Sequence, residues 1–220
     1  MGQLAAKENR AKRRRAQSFE TLVQAGLAVI AKRGIYETTV EHITEAADIG
    51  KGTFYAHFPS KDDLVHHLVR HGLDELIAAG RGVTTDDPTP ADRLAALMRS
   101  QLRVLARRRD LVILLHQLRG LLIRQPRGRQ HLRQEYQRYI RFLMDECRHA
   151  LGRPNLPAGE ARDLACAIAG FVAGMLSFEL LVRNGGGARA SFDGPVNAFA
   201  AGAAAHYGAP GAPANGSACG

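Results

Sequence analysis

GKGTFYAHFPSKDDL, residues 50 to 64, decides how the chain is read, because its opening Gly50-Lys51-Gly52-Thr53 suits two unrelated phosphate partners. A nucleotide-binding loop needs G-x-x-x-x-G-K-[ST], so that consecutive backbone N–H groups wrap the phosphates while the lysine and hydroxyl reach the terminal phosphate and Mg²⁺. Here Gly52 follows Lys51, and Glu45 stands where the leading glycine belongs. The preceding Val40 to Ala47 has helical rather than strand periodicity. The loop reading fails on spacing and on context.

On a helix at about 100° per residue, Phe54 and Phe58 of this stretch point inward together. The opposite side carries Gly52, Thr53 and Ala56, flanked by Lys51 and Tyr55 on one edge and His57 on the other. Small groups let a helix backbone approach base edges, while a rim of ammonium, phenol and imidazole meets phosphates. An ordinary solvated helix accounts for the polarity of this face but not for exposed Gly and Ala beside a tyrosine.

Working outward, Phe19, Leu22, Val23, Gly26 and Ile30 form the apolar stripe of a helix over 16–33, closed by Gly34. Thr38 or Thr39 caps the next helix, with Thr38 and Glu41 spaced as a capping box. Asp48-Ile49-Gly50 reads as a tight turn, since Asp tolerates the left-handed region and Gly adopts it freely. Pro59 ends the third helix, and Ser60 with Asp63 caps a fourth. A short helix, a tight turn and a second helix of this shape make a helix-turn-helix over 39–58.

The run from Gly34 to Val69, GIYETTVEHITEAADIGKGTFYAHFPSKDDLVHHLV, resembles the DNA-binding domain of TetR-family transcriptional regulators. That family pairs a Thr-Thr second helix with a K-G-T-F-Y-x-H-F recognition helix and a following S-K-x-x-L. The resemblance implies that Lys51, Gly52 and Thr53 approach bases. It also implies that Tyr55, His57 and Lys61 hold phosphates and that Thr39 meets the backbone from the start of the second helix. Thr44, Asp48 and Gly50 depart from the usual pattern, and Gly50 removes a side-chain cap where the family often has serine.

Composition agrees with a polyanionic partner: the formal net charge is +9 and the pI about 10.0. Residues 1–15, ending in Lys12-Arg13-Arg14-Arg15, lack a hydrophobic pattern and read as a flexible basic arm that offers Arg13, Arg14 and Arg15 to DNA. The DNA-binding domain occupies 16–76 and a helical regulatory and dimerisation domain 77–207. That second domain opens with the linker Arg81 to Pro90, and the helices are separated at Gln125-Pro126, Gly152 to Pro157 and Gly185 to Gly187. The Gly- and Ala-rich residues 208–220 are expected to be a disordered tail. No alternating strand pattern appears, so the expected fold is all α.

Leu164 to Val182 is long and apolar enough for a membrane span, yet Glu179 and its many Ala and Gly residues argue for a helix covered by protein on several sides. Gly170 and Gly174 form a small-xxx-small ridge suited to a close helix pair, so this helix and the last one are expected at a homodimer interface. Candidates for a ligand pocket are Met98, His116, Tyr139, Phe142, Phe171, Met175 and Phe178, the large or polar-tipped residues on apolar faces. Arginines between 99 and 153 outnumber acids and either line a pocket for an anion or lie in solvent.

His67 and His71 have i, i+4 spacing without a third ligand, so no metal or other cofactor is expected. No nucleophile–base set is recognisable, and an enzyme is not expected. Three widely spaced cysteines and the absence of a secretory segment point to the cytoplasm. The expected function is a ligand-responsive transcriptional regulator, repression being its anticipated sense, that binds a palindromic DNA operator as a homodimer and answers to an unidentified small molecule. The alternative is an architectural DNA-binding protein without a ligand.

Overall fold

The computed structural model describes residues 2–83, 89–124, 129–182 and 191–208, with side chains from residue 8 onward. The expected break at 185–187, the Gln125-Pro126 separator and nearly all of the tail lie outside the described residues, as do residues 84–88 of the 81–90 linker. Among the described residues there are nine helices and no strand. They are α1 (Gly2–Arg33), α2 (Val40–Ala46), α3 (Lys51–Tyr55), α4 (Lys61–Arg81), α5 (Pro90–Ala106), α6 (Arg109–Arg124), α7 (Gln130–Leu151), α8 (Ala158–Val182) and α9 (Asp193–Gly208).

The basic arm lies in a helix, which the missing apolar pattern did not suggest: α1 runs unbroken from Gly2 through Arg13, Arg14 and Arg15. Its residues are strong helix formers even without an apolar stripe, and Glu8 and Lys12 add an i, i+4 pair at 3.6 Å. The α2 cap also differs from expectation. Thr39, not Thr38, is the N-cap, and its box partner is His42 rather than Glu41. Thr38 is buried and donates its hydroxyl to the Gly34 carbonyl at 2.7 Å. Gly34 itself has φ +94°, the left-handed geometry that a helix-ending glycine supplies.

Two units divide the chain. The first comprises Met1–Asp74 and Arg108–Glu135, the second Glu75–Arg107 and Tyr136–Gly220. In the first, Leu22 and Ile30 of α1, Ile43 of α2, Phe54 of α3, Leu64 of α4 and Leu114 and Leu118 of α6 are fully buried. The position of α6 beside the N-terminal helices is not evident from a division into consecutive segments. α1 and α4 approach closely at Gly26, where an added Cβ would lie 2.7 Å from Leu64 Cδ2.

The second unit packs α5 against α8 and α9. Thr89 caps α5 by accepting from the Asp92 N–H, and Pro90 occupies its first turn. A buried polar cluster lies among the leucines. Tyr139 donates to Gln101 Oε1 at 3.0 Å, and Gln101 Nε2 donates to the Leu76 carbonyl at 3.0 Å. Burying an amide costs little when its groups are paired in this way.

Several arginines have a role that neither sequence reading anticipated: they close loops by donating to backbone carbonyls. Arg93 reaches Ala150 O at 2.7 Å, Arg148 reaches Leu156 O at 3.3 Å and Arg153 reaches Tyr207 O at 2.5 Å. Arg99 binds Asp193 and Asn197 at the start of α9.

The apolar α8 is covered on one face only within a single chain, not on several sides. Ala161, Leu164, Ala165, Ile168, Val172 and Leu176 are buried, while only 22% of the most apolar stretch of the helix is buried. This helix is long and apolar enough to cross a membrane by length and composition.

Candidate nucleic-acid interface

The site begins with two phenylalanines. Phe54 is 0% and Phe58 4% exposed. Phe19 of α1 stacks on Phe58 with ring centroids 5.3 Å apart, fixing the roll of α3 against α1. The turn before α3 bends at Asp48, whose φ is +50°. Gly50 is the N-cap in an extended conformation, φ −67° and ψ 148°, with no side-chain bond to the helix. Lys51 then opens a helix rather than a phosphate-wrapping loop. That helix ends at Tyr55 with Ala56 as its cap, shorter than the expected 51–58, although Phe58 N–H still bonds Phe54 O at 2.8 Å.

With the Phe54 side inward, Lys51, Gly52, Thr53, Tyr55 and Ala56 are exposed together. Beyond the adjoining backbone of its own helix, nothing lies within 4 Å of the place where a Cβ on Gly52 would stand. Thr39 is also exposed, at the start of α2. Its hydroxyl accepts from the His42 N–H and its own N–H donates to His42 Nδ1, each at 3.3 Å.

Lys51, His57 and Lys61 likewise have partners inside the chain. Lys51 Nζ lies 2.5 Å from Glu41 Oε1 on α2. The Lys51 ammonium, hydrogen-bonded to the Glu41 carboxylate, is the main reason that the carboxyl is held down at about 2. The same bond raises the pKa of Lys51. His57 Nε2 lies 2.8 Å from Ser18 Oγ, and its ring meets the edge of Phe19. Burial, and then the charge of Arg15, lower the pKa of His57. Lys61 Nζ donates to Ile35 O at 2.7 Å and Thr38 O at 2.6 Å. Nothing in the sequence signals these pairings, since the residues stand 10, 39, 26 and 23 positions apart.

Arg13, Arg14 and Arg15 are exposed along α1. Arg15 and Lys12 line a shallow cleft with Phe19, Glu20 and His57. The basic residues therefore continue the surface that carries α3. His67 packs against Phe19 and Phe58, at 5.0 and 5.8 Å, and so works as part of the aromatic wedge. Among the described residues no group of three His, Cys, Asp or Glu side chains could hold a metal ion.

The expected pocket residues do not form one group. Met98, Tyr139 and Phe142 are buried in the second unit, where Tyr139 bonds Gln101. Phe171 and Met175 are half-buried, and Phe171 touches Phe199 of α9 at 5.0 Å. His116 belongs to the first unit and is exposed, because it lies on the side of α6 opposite the Leu111–Leu114–Leu118 stripe. Phe178 is 68% exposed, on the face of α8 away from Val172 and Leu176. Gly170 and Gly174 have open space where a Cβ would be.

Comparison with known proteins agrees with this geometry. The profile described as "Bacterial regulatory proteins, tetR family" matches residues 22–68. The transcriptional repressor KstR2 of Mycobacterium tuberculosis is 32% identical over 106 residues, which are 48% of this chain and 53% of that protein. The chain thus matches about half the length of its curated relatives. In fold, it is similar to the fatty acid degradation regulator FadR from Bacillus halodurans, with a TM-score of 0.66, 18% identity, and coverage of 83% of this chain and 93% of that one. FadR from Bacillus subtilis in complex with stearoyl-CoA gives a TM-score of 0.63 at 18% identity, covering 87% of this chain and all of that one. Residues 22–68 match the DNA-binding domain of the TetR family of bacterial regulatory proteins, and the fold of the chain as a whole is that of the similar solved regulators.

Proposed function

We propose that the protein is a cytoplasmic, ligand-responsive transcriptional repressor that binds a palindromic operator as a homodimer. The observation that carries this reading is the face of α3. Lys51, Gly52, Thr53, Tyr55 and Ala56 are exposed on a short helix whose other side is locked by Phe54 and Phe58. Such a helix presents a narrow, small-residue ridge to a major groove, with cationic α1 residues beside it for the backbone.

Dimerisation is supported by what α8 and α9 leave uncovered. Ala167, Gly170, Gly174, Phe178 and Leu181 recur at i, i+3, i+7, i+11 and i+14, opposite the buried face of α8. Ala198, Ala201, Gly202 and Ala205 form a matching exposed stripe on α9. A second copy of the same helices would cover both stripes in one four-helix contact, the arrangement of an isologous interface. This accounts for the length and apolarity of α8 without a bilayer.

For the effector we propose an amphiphile of acyl-thioester type, held in the second unit around Met98, Tyr139 and Phe142. A similar fold has been solved with stearoyl-CoA, and curated relatives include a regulator of fatty acid metabolism. Effector binding would favour a conformation in which the two recognition helices no longer fit both half-sites at once.

The test is sedimentation and operator binding of Phe178→Asp beside the wild type, each with and without stearoyl-CoA. The wild type should sediment as a dimer and release the operator when the thioester is added. The variant should be monomeric and bind about 10²-fold more weakly, having lost the avidity of two linked heads. A dimeric Phe178→Asp would refute the interface. Equal operator affinity with and without stearoyl-CoA would refute the effector class.

A further inference from the structure

The turn between α1 and α2, Gly34 to Thr39, is held largely by side chains from elsewhere in the first unit. At Ile35 both backbone groups are taken. Its N–H donates to Gln117 Oε1 of α6 at 3.1 Å, and its C=O accepts from Lys61 Nζ of α4 at 2.7 Å. The same ammonium donates to Thr38 O at 2.6 Å, and the Thr38 hydroxyl closes back onto Gly34 O at 2.7 Å. Next in the chain is Thr39, the N-cap of α2. Two residues further on is Glu41, the partner of Lys51 on the recognition helix.

This arrangement does more than fill a core. Ile35 is 3% exposed, but the Gln117 contact borders an open cleft of about 250 Å³ lined by Arg33, Tyr36, Glu37, Leu121 and Arg124. Water can therefore replace the Gln117 bond, so its loss should loosen the turn without unfolding the unit. Lys61 has only three N–H donors, two of them spent on carbonyls. Its pKa is lowered, chiefly by burial, as expected of an ammonium drawn in from solvent.

We propose that Gln117 and Lys61 are positioning residues for DNA recognition, which pin the N–H and C=O of Ile35 and so hold the start of α2 in the place that DNA binding requires. Lys61 acts there through the turn and not as a phosphate ligand. The inference rests on the reading of α2 and α3 as the DNA-binding elements.

The two roles differ in what salt does. A phosphate contact releases a counterion, so its loss flattens the plot of log affinity against log salt by about 0.9. A positioning contact lowers affinity at every salt concentration alike. The experiment measures binding of the full chain to a duplex selected by the wild type from a random pool, across a salt series, for Gln117→Leu, Gln117→Asn, Gln117→Glu, Lys61→Met and the Leu–Met double variant. Amide exchange at Ile35 and thermal unfolding are followed in each.

Gln117→Leu, which loses one part-buried hydrogen bond, should weaken binding about tenfold, and Lys61→Met, which loses two charged ones, at least as much, with the salt slope unchanged in both. Gln117→Asn should behave like the leucine variant, because its oxygen falls a methylene short. Gln117→Glu should restore binding, since the contact needs only an acceptor. The double variant should lose less than the product of the singles, because both act through one residue. Ile35 exchange should quicken in every weakened variant while the unfolding temperature stays near wild type. A slope reduced by about 0.9 in Lys61→Met would overturn the proposal, as would full affinity in Gln117→Leu and Gln117→Asn. A wild type that enriches no duplex would overturn the DNA-binding reading itself, and this inference with it.

Discussion

Replacing Glu41 with glutamine should tighten DNA binding at low salt and make it more salt-dependent. Lys51 Nζ lies 2.5 Å from Glu41 Oε1 with both side chains more than half exposed. The recognition face thus carries a neutral pair where Lys51 alone would present a cation. An approaching phosphate must either separate the pair or accept the carboxylate beside it. Removing the carboxylate raises the local charge by one, equivalent to one more phosphate neutralised and a slope steeper by about 0.9. Over a fourfold rise in salt this is about 3.5-fold of additional affinity loss relative to wild type.

The pH dependence of that effect follows from the same geometry. The Glu41 carboxyl is depressed from 4.5 to about 2, first by its bond to Lys51. A depressed carboxyl makes its contribution above its unfolded pKa and loses it as pH falls through the folded one. The pair is therefore complete at neutral pH, and the difference between Glu41→Gln and wild type should be constant from about pH 6 to 8. Fluorescence anisotropy titrations of a labelled operator over a salt series measure it. Identical slopes for the two proteins would refute the placement of Lys51 against DNA.

Gly50→Ser should stabilise the protein by a few tenths of a kcal/mol, about 1 °C in unfolding midpoint. The extended backbone at Gly50 suits a serine cap and no neighbour blocks its Cβ; a lowered midpoint would contradict that geometry. Acidification should destabilise the first unit. Burial lowers the pKa of both His57 and His67, aided by Arg15 at the former and by His71, Arg70 and His66 at the latter, against an opposing Glu20. A lowered histidine binds its proton more readily when unfolded, so this stability is full above the ordinary histidine value near 6.5 and falls as pH drops below it. Denaturant midpoints of wild type and His67→Phe at pH 7.5 and about 5.5 check this: the wild type should lose more on acidification, and equal losses would count against the aromatic wedge.

Much of the fold is legible in the sequence because apolar spacing and turn chemistry agree there. The Phe54–Phe58 pair, the Asp48 turn, the Ser60 cap, bonded to Asp63, and the leucine stripes of α5 and α6 all follow from local rules. The helical arm is not legible by hydrophobic period, since its stability comes from propensity and i, i+4 charge rather than burial. Nor does the Thr-Thr pair reveal which threonine caps α2; that depends on Thr38 being drawn into the turn by Gly34. At the interface, residue types are legible but their partners are not. Glu41, Ser18 and Gln117 reach their counterparts only through tertiary packing, which no linear spacing encodes. Apolar spacing likewise grouped Phe178 with pocket residues, whereas its face of α8 is bare in a single chain.

The most direct measurement is selection of bound duplexes from a random pool by the full-length protein, followed by sequencing. The account predicts an inverted repeat whose half-sites are about one helical turn apart or a multiple of it, and a changed half-site preference in Thr53→Ala with the symmetry retained. Enrichment without any shared motif, in a protein whose binding is still salt-sensitive, would contradict it and make the chain an architectural DNA-binding protein instead.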